Sequence, residues 1–128
     1  MLAYIMVGSN NIKRSAKFYD AALAPLGLVR TGSDDSWLAY GPKSAPKKAA
    51  FYVTKPYNKK KASFGNGTMI SLTAKDRRAV EGFHKAALAS GGKDEGKPGP
   101  RPADNKNYVA YARDPDGNKI CAYCAKAK

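Results

Sequence analysis

A chain of 128 residues that holds 23 Lys and Arg against 10 Asp and Glu carries a formal net charge of +13, with 43% of its residues apolar. A single domain of this length typically buries about two-thirds of its unfolded surface, enough to fold with neither disulfides nor a structural metal. No stretch of about 18 apolar residues could cross a membrane, and the Met1 to Val7 start lacks a basic region and a small-residue cleavage site, so a cytoplasmic location is expected.

The elements read in chain order as follows. Tyr4 to Val7 is a short apolar strand, followed by an N-cap candidate at Asn10 or Asn11. Ile12, Ser15, Phe18 or Tyr19, Ala22 and Leu26 then recur at helical spacing, and Gly27 supplies a left-handed stop. Strands are expected near Val29 to Thr31, Ser36 to Gly41 and Lys48 to Thr54. Residues 55–67 form a polar, lysine-heavy linker. The second half repeats the order: a strand at Met69 to Leu72, a cap at Asp76, a helix built on Val80, Phe83, Ala87 and Leu88, and Gly91-Gly92 to end it. Three strands follow, near Lys93 to Gly96, Tyr108 to Arg113 and Lys119 to Cys124. Residues 96–107, with three prolines, are expected to be a loop that cannot enter a central strand. Asp114-Pro115-Asp116-Gly117 is a tight turn that makes the last two strands a hairpin.

The halves are also similar to each other. Displacing the sequence by 65 positions lays 4–27 over 69–92, matching Ile5 with Ile70, Phe18 with Phe83 and Gly27 with Gly92. A displacement of 71 lays Trp37 to Tyr40 over Tyr108 to Tyr111, and Tyr52 over Tyr123. The expected architecture is α+β: one domain over 1–128, made of two tandem βαβββ units (about 1–54 and about 68–124) joined by the linker.

A βαβββ unit repeated once and ended by an Asp-Pro-Asp-Gly hairpin resembles the glyoxalase, bleomycin-resistance and extradiol-dioxygenase superfamily. The residues that carry the resemblance are Ser15 and the Phe18 to Gly27 helix end, Gly65-Asn66-Gly67-Thr68, the Phe83 to Gly92 helix end, and Arg113 to Ile120. The likeness is greatest to small bacterial members related to lactoylglutathione lyase. It implies a cupped mixed sheet with the helices outside and a divalent metal held in the cup by His, His and Glu. Carried over residue by residue, those three positions are Tyr4, Met69 and Cys121. Phenol, thioether and thiol are poor replacements for imidazole and carboxylate around a hard ion. No metal or other cofactor is therefore expected. His84, mid-helix, is expected at a surface or edge position rather than in the site.

Strand alternation puts Met6, Ser71, Val109, Tyr111 and Tyr123 on the same face as Tyr4, Met69 and Cys121, an aromatic and weakly polar lining suited to a small organic molecule. Trp37 and Tyr40 are candidates to cap the opening or to join a homodimer contact, and Arg101 is a candidate anion clamp. Tyr111 and Cys121 are the candidate catalytic groups should the protein be an enzyme, either a lyase or isomerase with displaced metal ligands or a metal-free catalyst. Cys121 and Cys124, three apart on one strand, face opposite sides, which argues against a redox dithiol, and His84 as sole histidine argues against a zinc knuckle. The leading reading is a homodimeric family protein that binds a small, anionic or neutral molecule. The charge alone suggests nucleic acid, but no motif supports it. From Ser36 to Lys75 there is no acidic residue, and seven lysines fall between Lys43 and Lys61. They are expected to be solvated, or to steer an anionic ligand.

Overall fold

The computed structural model describes residues 1–102 and 106–125. The first unit comprises β1 (Ile5–Gly8), α1 (Ile12–Leu23), a 3-10 turn (Ala24–Leu26), β2 (Leu28–Ser33), β3 (Trp37–Pro42) and β4 (Phe51–Thr54). The second comprises β5 (Ile70–Thr73), α2 (Arg77–Ala89), β6 (Lys93–Pro100), β7 (Tyr108–Arg113) and β8 (Lys119–Cys124). Each unit forms its own four-stranded sheet, in the orders β1-β4-β3-β2 and β5-β8-β7-β6. The first strand of each runs parallel to the last, and the other pairs are antiparallel. No helix of the described residues is long and apolar enough to cross a membrane.

The caps explain where the helices start. Asn11, rather than Asn10, has extended backbone and accepts from the Arg14 amide at 2.9 Å, and Asp76 accepts from Ala79 at 2.8 Å. Asn10 is occupied elsewhere: it bonds both ways with the Ala62 backbone. Pro25 tightens the end of α1 into the 3-10 turn before Gly27 takes φ 78. The apolar stripes of α1 and α2 pack on each other and on the inner faces of both sheets. Phe18, Tyr19, Leu23, Val80 and Phe83 thus share one core with Tyr40, Phe51, Val53 and Ile120.

Three expectations are corrected. The proline-rich segment does not become loop at residue 96, because β6 runs on to Pro100. It can do so because β6 is an edge strand, where a proline without an N–H disturbs no inner ladder. The strand expected from Lys48 begins only at Phe51, after a turn in which Lys48 donates to the Ala45 carbonyl. Tyr40 is not a cap on the opening but is wholly buried in the core, where its phenol donates to Asp20 at 2.8 Å.

Residues that carried the resemblance form a clasp between the units. In the β7–β8 turn Gly117 takes φ 92 and its amide donates to the Asp114 carbonyl. The Asp114 carboxylate is buried and accepts from the Tyr19 phenol and from Asn118, whose side chain also donates to the Gly8 carbonyl at 2.9 Å. Asp116 accepts from Arg14 and from the Asn10 amide at the start of α1. The turn therefore binds the first helix of the other unit, and burial raises the Asp114 pKa despite its hydrogen bonds.

Candidate functional site

The helices cover one face of each sheet and leave the other open. Ile5, Phe51, Val53, Ile70, Ala110, Ala112, Ile120 and Ala122 point to the core. Strand alternation sends Tyr4, Met6, Trp37, Tyr52, Met69, Ser71, Tyr111, Cys121 and Tyr123 the opposite way. Tyr4 and Met6 are 55% and 51% exposed and Met69 42%, so this face is a solvent-facing apolar surface in the isolated chain.

Strand register redefines which residues correspond. Met6 pairs with Tyr52 in the first unit, and Ser71 pairs with Cys121 in the second. Since Met6 and Ser71 occupy matching places, the counterpart of Tyr52 is Cys121, not Tyr123. Likewise Tyr40 pairs with Phe51 and Ala112 with Ile120, so Tyr40 matches Ala112 rather than Tyr111. For Trp37 to Tyr40 the displacement of 71 aligns similar letters across opposite sheet faces, since Tyr40 is in the core and Tyr111 is not. Tyr52, outside the expected lining, is a further residue of the open face. Counting outward from the paired first strands would have found it.

Two clusters result. In the first unit the Tyr4 and Tyr52 rings meet edge to face, with centroids 5.0 Å apart. In the second, Cys121 lies beside Ser71 on β5 and Tyr111 on β7. The Tyr111 ring lies over Gly96, where a Cβ would stand 2.5 Å from it, and the Lys119 ammonium is 5.1 Å from its centroid. The Tyr123 phenol donates to Asn107 at 2.7 Å. Trp37 lies to one side, its ring over Gly32. Arg101 turns back on its own strand, donating to the Pro100 carbonyl at 3.1 Å and the Lys97 carbonyl at 3.4 Å.

Cys121 is buried, and burial pushes its thiol above the ordinary value more than the Ser71 hydrogen bond and the Lys119 charge pull it down. A protonated, enclosed thiol with no base beside it is a weak nucleophile and a weak ligand. Tyr4, Met69 and Cys121, at the positions the resemblance gives to ligands, offer a phenol, a thioether and this thiol, donors that do not fit a hard divalent ion. Among the described residues no three His, Cys, Asp or Glu side chains converge as metal ligands. His84 is buried on α2, not at the surface as expected, because its ring reaches Asp94 on β6 at 2.9 Å.

Two sheets of this topology, each backed by one helix, define a tandem βαβββ protein of the α+β class. The family model for the Glyoxalase/Bleomycin resistance protein/Dioxygenase superfamily matches residues 1–122, and the chain belongs to that superfamily. A glyoxalase/bleomycin resistance protein from Albidiferax ferrireducens T118 is 40% identical, with a TM-score of 0.85 over 97% of this chain and 98% of that one. A glyoxalase-related enzyme from Fulvimarina pelagi is 16% identical, with a TM-score of 0.76 over 97% and 87% of the two chains. A family enzyme from Burkholderia phytofirmans PsJN is 12% identical, with a TM-score of 0.69 over 96% and 97%. At such identities the last two likenesses concern the fold alone. No curated protein is significantly similar in sequence.

Proposed function

We propose that this protein binds a small organic anion on its open face by stacking and phenolic hydrogen bonds, without the metal on which relatives of the superfamily rely. The observation that carries the reading is the identity of the central positions. Tyr4, Tyr52, Met69 and Cys121 stand where symmetry and resemblance place metal ligands, and they offer two phenols, a thioether and a protonated thiol. Tyr111, with the Lys119 ammonium over its ring, adds a third phenol. The choice of an anion follows from the net charge of +13.

Native mass spectrometry of freshly purified protein tests this, followed by titration of any co-purifying compound into Tyr4→Ala and Tyr111→Phe variants. A bound organic acid whose affinity falls by about tenfold in each variant is expected, the cost of roughly one neutral hydrogen bond or aromatic contact. Unchanged affinity in both variants would overturn the placement.

A further inference from the structure

We infer that the segment following β4, residues 55–61, is a second site, for a phosphorylated aromatic molecule of the nucleotide type. Lys55, Lys59, Lys60 and Lys61 line one cavity of about 270 Å³, together with Ser9 and Asn10. Among the described residues none of the four lysines forms an ion pair; the pairs there are Arg14–Asp116, Arg30–Asp20, His84–Asp94 and Arg113–Glu95. Four ammonium groups gathered without a counter-charge repel one another, and a bound polyanion removes that cost.

The lysines are presented by an ordered turn rather than a loose tail. Lys59 takes φ 63, in the left-handed region that a lysine seldom adopts, and its amide donates to the Pro56 carbonyl at 3.0 Å. The Lys60 amide donates to Asn58 at 3.0 Å. Just beyond, Ala62 is held by the Asn10 side chain through bonds of 2.7 and 3.1 Å, which ties the turn to the loop between β1 and α1.

Beside the ammonium groups stands an aromatic with no role in the core. Tyr57 is fully exposed, and with Met6 it lines two adjoining cavities of about 550 and 420 Å³. Lys59 belongs to the larger of these and Lys61 to the smaller, so the apolar and cationic subsites are continuous. Lysine is a compact point charge suited to phosphate, whereas a planar carboxylate is matched best by the arginine fork. A ring on Tyr57 with its phosphates among the lysines satisfies both subsites. All four lysines meet at one cavity, and Tyr57 stands in the two that adjoin it; the other nearby aromatic, Phe64, shares a cavity with Lys61 alone, and its ring is covered by the Arg113 guanidinium. That fits one nucleotide better than a strand of nucleic acid, which needs successive stacking platforms.

Calorimetric titration of the full chain with ATP, tripolyphosphate and a thymidine oligonucleotide tests the site. The variants are a Lys55→Gln, Lys59→Gln, Lys60→Gln, Lys61→Gln quadruple, Tyr57→Ala, and, as control, Lys85→Gln at an exposed lysine of α2. The affected side chains are at the surface, and circular dichroism verifies folding. The quadruple is expected to weaken ATP and tripolyphosphate by at least about tenfold. Tyr57→Ala is expected to weaken ATP by about tenfold and leave tripolyphosphate unchanged, with Lys85→Gln changing neither. ATP failing to bind, or binding the quadruple as well as the parent, would overturn the site. Insensitivity of ATP to Tyr57→Ala would overturn the aromatic subsite, and an oligonucleotide bound far more tightly than ATP would overturn the choice of a single nucleotide.

Discussion

The two units share a topology and divide their bulk differently. On the core side the first sheet carries Leu38, Tyr40, Phe51 and Val53, whereas the second carries Ala110, Ala112 and Ala122 around Ile120. Large side chains fill the space under α1, and alanines let α2 approach its sheet. On the open side the order reverses in character: Tyr4 is exposed against Tyr52, whereas Cys121 is enclosed beneath its neighbours. One fold thus tolerates opposite fillings so long as each layer closes, and a position's chemistry follows its unit's filling rather than its place in the topology.

That contrast can be broken from either side. The largest effect is expected for Phe51→Ala, which opens a hole in the bulky unit and should cost about 3–5 kcal/mol in urea unfolding. Next, Asp114→Ala removes the acceptor shared by Tyr19 and Asn118 and should cost about 3 kcal/mol, since buried donors are left without partners. Ala112→Leu, which adds volume where the second unit has none to give, should cost about 2 kcal/mol. The matching position of the first unit already accommodates a larger side chain, Tyr40.

Two carboxylates sharpen the picture through pH. The Asp114 pKa is raised by burial, so the folded state holds its proton more tightly than the unfolded chain. Its contribution to stability is greatest below the ordinary aspartate value and declines as pH rises through the raised one. Asp94 is lowered, chiefly by its hydrogen bond to His84, so its contribution is present above the ordinary value and is lost as pH falls through the lowered one. Urea midpoints measured across acidic pH should therefore shift in opposite directions in Asp114→Asn and Asp94→Asn variants. The smallest effect concerns Cys121: alkylation of the native protein at pH 8 should be slower than that of a free cysteine, because its thiol sits above the ordinary value.

Much of this was legible in the residues. Caps at Asn11 and Asp76, the Asp114 to Gly117 turn and the helical stripes are local signals, and each lies where the local chemistry puts it. Pairing register is not local. Trp37 to Tyr40 looked like Tyr108 to Tyr111 by residue type, yet the ladder shifts them by one place, and one place exchanges the faces of a strand. For that reason Tyr40, matched by type to the open-face Tyr111, belongs to the core. The burial of His84 also escaped detection, because its partner Asp94 lies on a different element and no spacing rule links the two.

The central claim is that the open face works with phenols and a protonated thiol instead of a metal. Elemental analysis by inductively coupled plasma mass spectrometry, on protein purified without chelators and without an affinity tag that binds metal, tests it most directly. The expected result is far less than one transition-metal ion per chain, unchanged when Tyr4, Met69 and Cys121 are replaced by alanine. One nickel, zinc, iron or manganese ion per chain, lost on those replacements, would contradict it.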